Sequence, residues 1–166
     1  TIRRLTAYNI YFAEQPVQPF DVTWLADVRA NVPVPVMADE SVNTPQDAMA
    51  LVRAQAADVF SVYVAKGGGI GPARKVAAVA EAAGLTCTVG SNLELGVASA
   101  AMIHLAMATP AIGAEEFPCD IIGPFYYEDD LLAESLPIQA GSARPFERPG
   151  LGVELDERAL VRFRQA

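Results

Sequence analysis

Cysteine and histidine are scarce in this 166-residue chain: Cys87, Cys119 and His104 are the whole supply. Cys87 lies in an apolar strand candidate and reads as a buried free thiol. A disulfide is the minor alternative, and a cytosolic (cytoplasmic) location is the expectation. His104 falls mid-helix among Ala and Met and reads as a partnered core or interface histidine. Long apolar runs are also missing. Val97–Met107 is broken by Ser99 and His104, and no run approaches the roughly 18–20 residues of a membrane span. No stretch reads as a secretory leader. Basic charge is short, with 12 Lys and Arg against 20 Asp and Glu, for a net charge of −8. The basic residues are scattered, so nucleic acid and anionic membranes are not expected partners. An acidic balance leaves an anionic substrate open, because a bound cation reverses the local field. The dinucleotide fingerprint is absent too. Gly67–Gly71 reads GGGIG, without the G-x-G-x-x-G spacing, and the first strand has no glycine turn.

What is present is a 52% hydrophobic chain of a size that suits one α/β domain with a buried parallel sheet. Five strand candidates alternate with helices: Ile10–Ala13, Val36–Ala38, Val59–Val64, Leu85–Val89 and a short one between Ala111 and Asp120. Helices are expected from Asp21 or Thr23, over Pro45–Ala56 behind a Thr44/Asp47 capping box, over Pro72–Ala83 ending at Gly84, and over Gly96–Ala108. Thr1–Asn9 reads as the tail of a further helix. Every connection is long enough for a parallel crossover. A complete (β/α)8 barrel takes about 250 residues, with about 200 near the floor, so the expectation is a partial TIM-type barrel, about strands four to eight. The barrel part is placed at 1–125. The Pro- and Gly-rich remainder, 126–166, reads as a C-terminal irregular extension, with a short terminal helix capped by Asp156, packing on the barrel or on a capping domain.

Polar residues collect at the carboxyl ends of the strands, where parallel α/β folds place their chemistry. Glu14 and Asp39 stand one β/α repeat apart, which puts them on adjacent strands roughly 5 Å apart. Carboxylates that close repel unless a cation lies between them. A hard divalent ion with oxygen ligands resolves the repulsion; solvated loop acids are the alternative. The glycines after Lys66 leave open a phosphate site at a helix N-terminus.

The ordered set Phe12-Ala13-Glu14-Gln15-Pro16, Ala38-Asp39-Glu40-Ser41, Lys66-Gly67-Gly68, Gly90-Ser91-Asn92-Leu93-Glu94 and Ile122-Gly123-Pro124 resembles the second half of the barrel of the enolase superfamily. The muconate-cycloisomerase/mandelate-racemase branch is the most similar. The resemblance implies Mg²⁺ (or Mn²⁺) held by Glu14 and Asp39, with Glu40 as an orienting residue or a solvated neighbour, and a small carboxylate as substrate. It implies proton abstraction next to that carboxylate, or the reverse, with the metal stabilising an enediolate. The remaining ligand and a pair of lysines would lie upstream of Thr1. Lys66, Tyr63, Asp120 and Glu94 are the catalytic candidates the resemblance implies; Glu94 and Asp120 match acidic positions at the ends of the seventh and eighth strands, with Glu115 and Glu116 as rivals for the latter. Ser91 and Asn92 are candidates to bind a substrate carboxylate. One departure stands out. The family places a basic lysine three residues before Lys66, and this chain has Tyr63. A phenol with an ordinary pKa near 10 is a poor base, so a one-base cycloisomerisation or dehydration fits better than racemisation or epimerisation. The chain alone is expected to associate, as a homo-oligomer or with the remainder of its own barrel, because a half-barrel leaves unpaired strand edges. A catalytically incomplete fragment or assembly module is the competing reading.

Overall fold

A computed structural model describes residues 1–164. Four parallel strands form one sheet: β1 (Ala13–Glu14), β2 (Val36–Ala38), β3 (Val59–Val62) and β4 (Thr86–Val89). Their spatial order is their sequence order. An open doubly wound sheet reverses its strand order at a switch point. Sequential order, with a helical connection between each pair of consecutive strands, is instead how a (β/α) barrel winds.

Each strand divides its side chains between two faces. Val36, Ala38, Phe60, Val62 and Cys87 form the main core with Leu25 of α2 (Val22–Asn31), Ala48 and Leu51 of α3 (Pro45–Ala54), and Val76, Ala77 and Ala80 of α5 (Ile70–Ala82). Met37 and Val59 point the other way and meet Phe12 and Phe117 in a small apolar layer. Alternation along the strands continues that inner face upward through Glu14, Asp39, Ser61, Tyr63 and Thr88. The apolar layer therefore floors the face that carries the polar side chains.

Local signals explain the element boundaries. Thr44 and Asp47 close the expected capping box, with Pro45 at the first helical position. Asp21, not Thr23, caps α2 by accepting from the Thr23 amide. Gly84 ends α5 with φ +72, a conformation that favours glycine.

Three expectations need correction. The first strand begins later than Ile10, so Glu14 is part of β1 and not a residue beyond it. The third ends at Val62; the chain then coils into α4 (Val64–Gly67). The fifth strand is reduced to one parallel bridge between Cys87 and Ile112. Hydrogen bonds to the Gly113 carbonyl turn the chain away there; it meets β4 again where the Thr88 hydroxyl donates to the Phe117 carbonyl at 2.9 Å and the Asp120 amide donates to the Val89 carbonyl at 2.7 Å.

The start of the chain holds only a short α1 (Ile2–Leu5) and a 3-10 turn over Thr6–Tyr8. Helix α6 (Gly96–Met107) is buried along most of its length. The segment after residue 126 lies against α6 through Leu136, Ile138, Ala143 and Leu151. It contains a two-stranded hairpin, β5 (Ile138–Gln139) with β6 (Ser142–Ala143), and ends in α7 (Glu157–Phe163), capped by Asp156. Asp130 joins it to the barrel by accepting from the first amide of α6, Gly96, at 2.9 Å. His104 meets the Leu151 carbonyl at 3.3 Å, as a partnered histidine away from the strand ends.

Both cysteines are free. Burial, with Glu81 adding to it, pushes the Cys87 thiol up to about 12. Its raised pKa means that the folded chain keeps the proton longer than the unfolded chain. The stability this contributes is complete below the ordinary thiol range and fades as pH climbs from about 9 towards 12. At pH 8, peptide mapping after alkylation of the native protein should therefore show Cys119 labelled and Cys87 protected, with Cys87 reacting only on denaturation.

Candidate active site

Glu14 closes β1 and Asp39 follows β2. In the sheet register Glu14 lies opposite Met37, so Asp39, two residues further, points to the same inner face. Burial raises the pKa of Glu14, and the charges of Asp39, Glu40 and Asp120 raise it further, with Lys66 opposing them. The acids from β1, the β2 end and the chain after β4 therefore form one electrostatic group. Glu40 itself is exposed.

Lys66 reaches into this group from α4. Its ammonium donates to Asp39 Oδ1 at 2.6 Å, to the Asp39 carbonyl at 2.8 Å and to the Ser61 carbonyl at 2.7 Å. Three donors meet three acceptors, so the ammonium is saturated. The Lys66 side chain is 8% exposed and that of Asp39 16%. Burial lowers the lysine pKa, while the Asp39 hydrogen bond and the charges of Asp39, Glu40 and Glu14 act the other way. The same ammonium sits 4.6 Å from the centroid of the Tyr63 ring.

Tyr63 is buried at 4% exposure. Its hydroxyl faces Asn92 Oδ1 at 3.4 Å. Gly90 makes room for it, since a Cβ there would strike the Ser61 hydroxyl and press on the Tyr63 ring. Burial, then Asp39, Glu94 and Glu40, push the phenol up to about 12, against the Asn92 hydrogen bond. It stays protonated at neutral pH and acts as a donor.

On the β4 side, Ser91 Oγ donates to Asp120 Oδ2 at 2.9 Å. Glu94 Oε2 accepts from the Asn92 amide at 2.9 Å, while Glu94 Oε1 is buried without a partner. Gly123 crosses so close to the Glu94 backbone that a Cβ would collide with it. Of the rivals to Asp120, Glu115 is exposed in the turn after Gly113, and Glu116 lines a cleft with Arg29, Asp58 and Thr86 at the amino ends of the strands. Neither neighbours Glu14.

The phosphate reading of the glycine loop loses most of its donors. The amides of Gly67, Gly68 and Gly69 are spent on the carbonyls of Tyr63 and Val64. The glycines, with Gly68 at φ +84 and Gly69 at φ +114, turn the chain from α4 into α5. One residue of the site carried no signal beyond its neighbourhood. Gln15, next to Glu14, hydrogen-bonds across to the β2 end.

The pattern of the whole chain decides the family. Residues 1–159 match the model described as enolase C-terminal domain-like. The chain belongs to that family. Enolase C-terminal domain-like relatives include muconate cycloisomerase 1 of Rhodococcus opacus, 40% identical over 159 residues, which are 96% of this chain and 42% of that protein. N-succinyl-L-Arg/Lys racemase of Bacillus cereus is 35% identical over 96% of this chain and 42% of its own length. The crystal structure of 2-chloromuconate cycloisomerase from Rhodococcus opacus 1CP superposes with a TM-score of 0.93 at 34% identity, covering 99% of this chain and 44% of that one. The chain is therefore the C-terminal part of an enolase-superfamily barrel. It spans less than half the length of these relatives, which are isomerases.

Among the described residues no group of three or more His, Cys, Asp and Glu side chains is arranged to hold a metal ion. The donor set nevertheless suits Mg²⁺. That ion is commonly held by one or two carboxylates, with water or substrate oxygens elsewhere. Glu14 and Asp39 supply two hard carboxylates on one face, and the cost of keeping Glu14 ionised is what a cation would relieve.

Proposed function

We propose that the full-length protein is a Mg²⁺-dependent (or Mn²⁺-dependent) isomerase or lyase that forms an enediolate next to the carboxylate of a small substrate. Its reaction is a cycloisomerisation of the muconate kind, with dehydration as the alternative. The observation that carries this is the pairing of Glu14 with Asp39 on one inner face, with Asp39 anchored by a buried lysine. Bound at these two carboxylates, the cation would act as a Lewis acid towards a substrate carboxylate. Lys66, its donors spent, positions Asp39 and takes no proton. Asn92 is exposed, and its side-chain nitrogen donates to no partner among the described residues, so it is placed to meet a substrate carboxylate. Ser91 holds Asp120 at the same rim. Glu94 keeps a buried oxygen for a donor on the substrate.

Calorimetric titration of the full-length protein with Mg²⁺ tests this reading. Glu14→Gln should weaken binding at least as much as the loss of an outer-shell partner, which is about 10–100-fold. Unchanged affinity would sink the metal assignment.

Racemase and epimerase relatives keep a two-base reaction in view. Tyr63 argues against it, because racemisation in both directions needs each of two opposed groups to take a proton as well as give one, and a phenol held protonated only gives. In D₂O the full-length protein should incorporate solvent deuterium from one face of the substrate only. Tyr63→Phe should leave that stereochemistry intact, and scrambled label would favour the two-base reaction.

No described helix is long and apolar enough to cross a membrane. The free thiols support a cytoplasmic enzyme. The exposed Phe20–Trp24 pair at the start of α2, the helix that follows the edge strand β1, supports closure by the rest of the barrel or by a second copy.

A further inference from the structure

Gln15 follows Glu14 directly and has φ +34, in the left-handed region that residues other than glycine seldom adopt. Such a conformation persists where the surroundings over-determine it. Here they do. The backbone amide donates to the Met37 carbonyl at 2.9 Å, extending the β1–β2 ladder by one step. The side chain then continues past the end of the strands. Its Oε1 accepts from the Asp39 amide at 2.9 Å and the Ser41 amide at 3.2 Å. Its Nε2 donates to Ser41 Oγ at 2.8 Å and the Val17 carbonyl at 3.0 Å. Two donors and two lone pairs are all that a carboxamide has; three of the four bonds reach the chain after β2, and the fourth goes to Val17 in the chain after β1.

Asp39 is thus held from both sides. Gln15 takes its amide from the β1 side, and Lys66 takes its carbonyl and Oδ1 from the β3 side. Glu14 is joined covalently to the first of these clamps. Without a clamp, two carboxylates of like charge relax apart.

We propose that Gln15 is a positioning residue that ties the ends of β1 and β2 together and so presets Glu14 and Asp39 to share one divalent cation. The role rests on the metal reading above. Holding ligands in place before the ion arrives removes an ordering cost from binding.

Gln15→Met, made in the full-length protein, keeps the length and bulk of the side chain and deletes all four hydrogen bonds. Calorimetry with Mg²⁺ should show affinity about 10–100-fold below the parent, the usual cost of losing an outer partner of a metal ligand. Amide hydrogen exchange on the metal-free protein should show the Asp39 and Ser41 amides losing protection, a readout independent of turnover. Ser41→Ala removes a single bond from the same clamp and should shift both readouts in the same direction by less; it serves if Gln15→Met does not fold. Parent-like Mg²⁺ affinity in a folded Gln15→Met or Ser41→Ala protein, with affinity lost in Asp39→Asn, overturns the positioning role and leaves the metal reading standing. Parent-like affinity in Asp39→Asn as well overturns both.

Discussion

Asp39→Asn should lower Mg²⁺ affinity by more than the roughly 10–100-fold expected for an outer-shell change, and muconate-type turnover should fall with it. Lys66 occupies one carboxylate oxygen of Asp39, and the other accepts no hydrogen bond among the described residues. The amide can keep its oxygen towards Lys66, which directs its NH₂ to the position a cation would face. Charge and ligand atom are lost together, while the side-chain shape is preserved. Calorimetry on the full-length protein separates the two losses. Activity that vanishes while metal affinity is kept would move Asp39 from metal ligand to some other role.

Lys66→Met should produce the largest loss of stability at the site. The ammonium is the partner of one carboxylate and two carbonyls, all brought together by the fold. Methionine fills much of the space and satisfies none of them. Breaking a buried ion pair by removing one partner typically costs about 3–5 kcal/mol, because the remaining charge is left uncompensated. Denaturant unfolding of the full-length protein should show a loss of that order. A loss below about 1 kcal/mol, the usual worth of an exposed pair, would mean that water reaches Asp39 freely. Mg²⁺ should recover part of the lost stability, since a cation bound at Asp39 replaces the missing positive charge.

Much of this site was legible along the chain because parallel α/β topology converts sequence spacing into spatial adjacency. Glu14 and Asp39 end consecutive strands one repeat apart, so the fold has little choice but to make them neighbours. The capping box at Thr44 and the glycine at 84 are local signals read within a single turn of chain, and both helix ends lie where those signals place them. The fifth strand was misjudged because an apolar stretch reports burial, not pairing. Ala111 and Ile112 do meet β4, but the turn on Gly113 breaks the ladder. The glycine run after Lys66 was ambiguous for a similar reason. Its composition suits an anion loop, and only the backbone shows that the amides of Gly67, Gly68 and Gly69 already have acceptors.

The sequence by itself determined the alternation of strands and helices and the acidic strand ends. These follow from side-chain periodicity and from repeat length, which are properties of a linear chain. Tertiary structure alone decided what each polar group does. Lys66 is four residues past the end of β3, yet its ammonium is saturated by Asp39 and Ser61. Tyr63 is a buried donor and not a base because Gly90 leaves room for its ring and Asn92 meets its hydroxyl. Gln15 became a clamp through contacts 24 and 26 residues away. A hydrogen bond is directional and short, so its partner is chosen by the packing of whole strands and cannot be read from any one of them.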